Sequence, residues 1–142
     1  QLATWCEGRL IGEDVAIERI STDSRKKLDG ALFVALRGER FDAHEFVSQA
    51  EENGATALLL NRPVKTHLPH ILCPDTEEAL GEIAAGLASS RRSVVLALTG
   101  SNGKTSVKSL LYSIMSHAGT AYVNPGNYNN EIGLPLAVIE AP

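Results

Sequence analysis

The segment Thr99-Gly100-Ser101-Asn102-Gly103-Lys104-Thr105 collects the residue types that grip phosphate. Glycines at 100 and 103 let the backbone come close to phosphate oxygens and turn several N–H groups inward. Lys104 can reach the outer phosphates of a nucleotide as a point charge, and the Thr105 hydroxyl is placed to ligate Mg²⁺. Ser101, Asn102 and Ser106 complete the loop and the first helical turn, where the positive end of the helix adds attraction for an anion. The usual phosphate-loop pattern has a further glycine five positions before Gly103, and here that position is Leu98. The strand–GxxGKT–helix core survives this departure.

A loop of this kind needs a strand before it and a helix after it. Val94–Leu98 is an unbroken apolar run that suits a central strand of a parallel sheet, covered on both faces. After the loop a helix is expected from about Gly103 to His117. Its Val107, Leu110, Leu111, Ile114, Met115 and Ala118 recur at helical spacing, so one stripe should pack on the sheet. Ala121–Val123 reads as another strand, and a Gly/Asn-rich loop then leads to a short helix near Glu131–Ile139. Asn127, Asn129, Asn130 and Glu131 offer polar groups at the start of that helix, where nucleotide sites of parallel sheets gather.

The first ninety residues follow the same grammar. Leu2–Glu7 reads as the tail of a helix. The run 31–36 behind Asp29-Gly30 reads as a strand. Asp42, three residues before Glu45, opens a helix through about Asn53, ended by Gly54. Ala55–Leu60 is a second buried strand. Asp75 with Glu78 caps a helix whose Leu80, Ile83, Ala84 and Leu87 share a face. Ser89–Ser93 is the expected domain junction. The class is α/β: a small amino-terminal α/β substrate domain (1–90), then the first strand–P-loop–helix part of a parallel-sheet ATPase domain (91–142).

Composition narrows the partners. With 44% hydrophobic and 21% charged residues the chain has the makeup of a soluble globular protein, and no apolar run approaches the ~20 residues of a membrane span. A net charge of −4 argues against general nucleic-acid binding. Within it, residues 19–40 hold six basic against three acidic side chains, which suits a small anionic ligand or a solvated basic surface. Cys6 and Cys73 lack metal-ligand spacing and read as small buried hydrophobes of a reducing compartment, the cytoplasm. His67 and His70, in a proline-flanked loop, read as surface residues. Without an initiator methionine and with an end just after an apolar run, the sequence is expected to be a piece of a longer protein.

Three blocks then carry a resemblance in order along the chain. Ser21-Thr22-Asp23-Ser24-Arg25, the stretch Leu28–Phe46 (LDGALFVALRGERFDAHEF) and Asn124–Leu136 (NPGNYNNEIGLPL), set around the TGSNGKT loop, resemble the Mur ligase family. Among its members the blocks are most similar to the one joining D-alanyl-D-alanine to UDP-N-acetylmuramoyl-tripeptide. The resemblance implies an ATP-dependent ligase of peptidoglycan precursor synthesis, working through an acyl-phosphate intermediate and expected to be a monomer. It implies that Gly100, Ser101, Asn102, Gly103, Lys104, Thr105, Ser106 and one asparagine, represented by Asn130, hold ATP, with Mg²⁺ on Thr105 and with Lys104 and Thr105 catalytic. It also implies that Ser24, Arg25, Asp42 and His44 lie near the uracil or diphosphate of the sugar nucleotide. Each of these four has a structural reading beside that one: a turn, a surface charge, a helix cap and a partly buried histidine. Because the rest of the family's machinery is missing from these residues, the chain alone is not expected to ligate. Another Mur-type ligase, a phosphate-loop kinase or NTPase, and a nucleotide-holding module without catalysis are the competing readings.

Overall fold

The computed structural model describes residues 1–126 and 128–142. Its centre is a five-stranded sheet built from β1 (Arg9–Ile11), β2 (Arg19–Ser21), β3 (Ala31–Val34), β4 (Ala57–Leu60) and β5 (His70–Leu72), in the order β1-β5-β4-β3-β2. Strands β2 to β5 run parallel, and β1 pairs antiparallel with β5 along one edge. The architecture is mixed α/β, as the alternation of elements predicts.

Strands β3 and β4 are buried along their whole length, which explains why they read as plain apolar runs rather than as alternating ones. Side-chain alternation still sorts them by face. Leu32, Val34 and Leu59 meet Leu80 and Ile83 of α3 (Thr76–Ser90), with α1 (Leu2–Trp5) and α5 (Gly133–Glu140) packed on the same side. Phe33, Leu58 and Leu60 meet Val47 and Ala50 of α2 (Val47–Glu52) on the other. Cys6 and Cys73 are buried on the α3 face, both free, as their sequence context predicts.

Both predicted caps are present. The Asp42 carboxylate accepts from the His44 N–H at 3.0 Å, opening a 3-10 turn (Ala43–Phe46) that passes into α2. Gly54, with φ of +91°, follows the helix and returns the chain to β4. The Asp75 carboxylate accepts from the N–H groups of Glu77 and Glu78 at 2.8 and 2.9 Å, which satisfies two of the unpaired donors of α3. Replacing Asp75 with alanine should therefore cost about 1–2 kcal/mol of stability, read as a lower urea midpoint at unchanged slope.

Four expectations are corrected. Val94–Leu98 and Ala121–Val123 are not strands: residues 91–103 and 119–125 have no regular structure. A central parallel strand exists only when neighbours pair with it, and among the described residues no strand pairs with these two. The helix after the loop does form, as α4 (Lys104–Ala118), but it buries none of its residues. Leu111, Met115 and Ala118 of its stripe instead border, with Val94, Val95, Leu96 and Leu98, an open apolar groove of about 740 Å³, and Val94 is 79% exposed. Finally, His70 lies in strand β5 rather than in a loop, while His67 is exposed as expected. Strands β1, β2 and β5 are three residues each, too short to announce themselves as periodic runs.

Candidate functional site

Two groups of the predicted residues lie beyond the carboxyl ends of the parallel strands, the edge where α/β sheets place ligands. The first follows β3 and β4. Asp42, His44 and Arg62 meet there: His44 Nδ1 is 2.6 Å from Asp42 Oδ1, and Arg62 donates to Asp42 Oδ2 at 3.0 Å. The other ring nitrogen of His44, Nε2, accepts from the Asn61 N–H at 3.1 Å. A backbone N–H can only donate, so the ring proton sits on Nδ1 and points at Asp42. His44 is 3% exposed and both its nitrogens are engaged. Its side chain ties the Asp42 cap to the end of β4.

Asp42 keeps a polar face toward solvent through Arg62, a partner that nothing in the sequence marks. Burial would raise the Asp42 carboxyl, but the hydrogen bonds from the His44 backbone, the His44 ring and Arg62 outweigh it and hold the group at about 2. Beside this cluster Phe41 and Phe46 stack with ring centroids 5.5 Å apart, both exposed.

The second group follows β2. Ser24 donates to Gln49 Oε1 of α2 at 2.8 Å, and the Ser24 carbonyl accepts from Asn53 Nδ2 at 2.7 Å. Arg25 forms a two-point contact with Asp23 at 2.9 and 3.0 Å. That guanidinium, with the Arg25 backbone N–H, lowers the Asp23 carboxyl to about 2. Among the described residues no hydrogen bond joins Ser24 or Arg25 to Asp42 or His44, so the four candidates form two anchored points rather than one constellation.

Because Asp23 and Asp42 both titrate below the ordinary aspartate value of about 3.9, each stabilises the fold above that value and loses its contribution as pH falls toward 2. The urea midpoint should accordingly drop between about pH 4 and pH 2. Asp42→Asn should flatten part of that drop, and an unchanged profile would contradict the pairing.

The phosphate-type loop stands apart from these points. Gly103 takes a left-handed conformation (φ +76°, ψ 2°) and opens α4; a Cβ would be strained there by the backbone alone. The first intrahelical bond is Val107 N–H to Gly103 O at 3.0 Å, which leaves the N–H groups of Lys104, Thr105 and Ser106 at the exposed helix start for an anion. Lys104 Nζ folds back to donate to the Gly100 carbonyl, across the mouth of the loop. Ser101, Asn102 and Thr105 are exposed beside it.

Lys108, one turn beyond Lys104, donates to the Asn124 carbonyl at 3.1 Å, and Asn124 Nδ2 donates to the Tyr128 carbonyl at 3.0 Å. Through Lys108 the loop helix and the asparagine block are brought together, a link that sequence spacing hints at only by the repeat of lysine at i and i+4. Asn130 Oδ1 accepts from the Gly133 N–H at 2.7 Å, so its side chain helps to start α5. Asn129 and Glu131 are exposed, and Asn127 lies outside the described residues. Among the described residues no cluster of three or more His, Cys, Asp or Glu could hold a metal.

Comparison with known proteins bears on both regions. Residues 16–88 match the family described as Mur ligase family, catalytic domain, and residues 98–142 match the Mur ligase middle domain. The UDP-N-acetylmuramoyl-tripeptide–D-alanyl-D-alanine ligase of Escherichia coli (strain K12) is 46% identical over 139 residues, covering 98% of this chain and 31% of that protein. A crystal structure of MurF from Acinetobacter baumannii superposes with a TM-score of 0.93 at 37% identity, over 99% of this chain and 32% of the other. MurF from Thermotoga maritima, solved in complex with ADP, gives a TM-score of 0.80 at 32% identity, over 90% of this chain and 30% of the other. The chain thus spans about a third of the length of the relatives it matches.

Proposed function

The chain belongs to the Mur ligase family, and from that premise we propose that it is the amino-terminal part of an ATP-dependent ligase joining D-alanyl-D-alanine to UDP-N-acetylmuramoyl-tripeptide. Residues 1–90 would hold the sugar nucleotide, and residues 91–142 would begin the ATP-binding domain. The observation that carries the reading is the Gly100–Thr105 loop opening α4 with its helix-start N–H groups exposed, in a chain 46% identical to a ligase of that name.

The chemistry follows from the acceptor. A carboxylate resists attack by an amine because its charge repels the nucleophile and oxide is a poor leaving group. Transfer of the terminal phosphoryl of ATP to one carboxylate oxygen gives an acyl phosphate. The amine of D-alanyl-D-alanine then attacks the carbonyl carbon, and inorganic phosphate leaves with the C–O electron pair as the amide forms and the amine proton passes to solvent or a base. Catalysis of this kind rests on positioning and on neutralising the charge of the transferring group.

This chain's residues supply part of that. The orphan N–H groups of Lys104, Thr105 and Ser106 fit phosphate oxygens, and Gly100 and Gly103 leave the approach open. Lys104 would exchange its bond to the Gly100 carbonyl for one to phosphate. The Thr105 hydroxyl fits Mg²⁺, which without a carboxylate cluster nearby would take its other ligands from phosphate, water and residues elsewhere. Ser24 and Arg25, with the exposed face of Asp42, are the candidate contacts to the sugar nucleotide. A nucleotide-sugar substrate and two free buried thiols suit the cytoplasm.

The test is ATP turnover by the full-length protein. Phosphate release should require both UDP-muramoyl-tripeptide and D-alanyl-D-alanine and should match amide formation one to one. Turnover independent of both substrates would favour an NTPase and sink the proposal.

A further inference from the structure

Arg91 sits immediately after α3, where its backbone N–H closes the helix on the carbonyls of Leu87 and Ala88 at 3.2 and 3.3 Å. Its guanidinium reaches across to the far end of α5. One terminal nitrogen donates to the Val138 carbonyl at 2.8 Å and the other to the Ile139 carbonyl at 3.3 Å. Both acceptors lie in the last turn of α5, where carbonyls lack intrahelical donors and the helix end is negative. The guanidinium is half-buried, and among the described residues no carboxylate pairs with it. A planar fork matches two successive carbonyls in a way that a single ammonium cannot.

Apolar packing alone would leave α5 free to slide. Ile132, Leu136 and Ile139 rest on the sheet cluster that includes Ile83 of α3, and such contacts are non-directional. The Arg91 bonds are directional and fix the helix along its axis. At its other end, α5 is packed closely on Tyr128 and Asn130 of the asparagine loop, and the Gly133 N–H donates to Asn130 Oδ1. Gly133 is buried there, and a Cβ on it would fall 2.7 Å from Tyr128 Cα and 2.8 Å from Asn130 Oδ1. That loop is hooked to α4 by Lys108.

We propose that Arg91 is a positioning residue: it locks α5 on α3 and so sets where the Tyr128–Gly133 segment, tied to Asn124 through the Tyr128 carbonyl, stands relative to the Gly100–Thr105 loop. The lock makes the geometry of the nucleotide site depend on the sheet that carries the sugar-nucleotide candidates. The inference rests on the proposed reading of the Gly100–Thr105 loop as the ATP site.

Two measurements on Arg91→Ala test it. Hydrogen exchange of the 142-residue chain should show amides of residues 133–141 exchanging at least about tenfold faster, with the α3 amides at 80–87 changed less. In the full-length protein, assayed well below its unfolding midpoint, kcat should fall about tenfold, with KM for UDP-muramoyl-tripeptide within about twofold of the wild type. Arg91→Lys should recover part of both effects, since it restores one of the two bonds. Unchanged exchange at 133–141 overturns the lock. Normal kinetics despite faster exchange overturns its influence on the site, as does a kcat loss that merely follows the unfolded fraction. A wild-type protein that does not ligate would overturn the functional reading instead, and the exchange result would still decide the lock.

Discussion

Lys104→Ala in the full-length protein is expected to lower ligation by at least about 10³-fold while leaving affinity for UDP-muramoyl-tripeptide within about twofold. The size follows from the role: a preorganised cation facing the charge of a transferring phosphoryl group is commonly worth two to three orders of magnitude in rate. The selectivity follows from the fold. Lys104 opens a helix that buries none of its residues, and its recorded side-chain partner is the Gly100 carbonyl of its own loop. Removing it should leave the five-stranded sheet untouched, so thermal unfolding should be unchanged. Steady-state amide formation, with calorimetric titration of the sugar nucleotide, separates the two effects. Near wild-type ligation would show that the loop does not grip the reacting phosphates.

The second large effect is on stability. His44→Ala should destabilise the chain by about 3 kcal/mol. It leaves the half-buried Asn61 N–H without its acceptor, removes the ring donor from Asp42 and opens a void in a position that is 3% exposed. Loss of sugar-nucleotide binding, if any, should then track unfolding and recover at low temperature or in stabilising osmolyte. A variant with wild-type urea midpoint and no sugar-nucleotide binding would reverse the assignment and make His44 a ligand contact.

His44 shows what a sequence can carry. Its position in the first turn after Asp42 was legible, because the cap is a local arrangement of neighbouring residues. Its engagement by Asn61, seventeen positions away, was not, because pairing across the sheet edge leaves no local mark. The same line divides the elements. β3, β4 and α3 announced themselves through continuous or periodic apolar runs and capping carboxylates, whereas β1, β2 and β5 exist because neighbouring strands give them backbone partners. Val94–Leu98 has the composition of a central strand and no described neighbour to pair with, so composition outran structure there. Of the phosphate-type loop, the glycine turn and the helix it opens were legible, since they need no distant partner, whereas the strand expected before it does not form. The loop's connection to the rest of the chain, through Lys108 and Arg91, was not legible.

The two buried thiols turn the fold into its own stopwatch. Burial first, then the neighbouring Cys6 and Asp75, push the Cys73 thiol up to about 11, and burial raises Cys6 as well. At neutral pH only on the order of one Cys73 in 10⁴ is then a thiolate, and the native packing screens that sulfur from reagent. An electrophile can reach either sulfur at an appreciable rate only when the α1–α3 face comes away from the sheet. Alkylation of Cys73 in dilute reagent should therefore be slower than that of a small free thiol by at least about 10³-fold. The ratio of the two labelling rates, followed by mass, would report how often this half of the domain breathes, with no probe added.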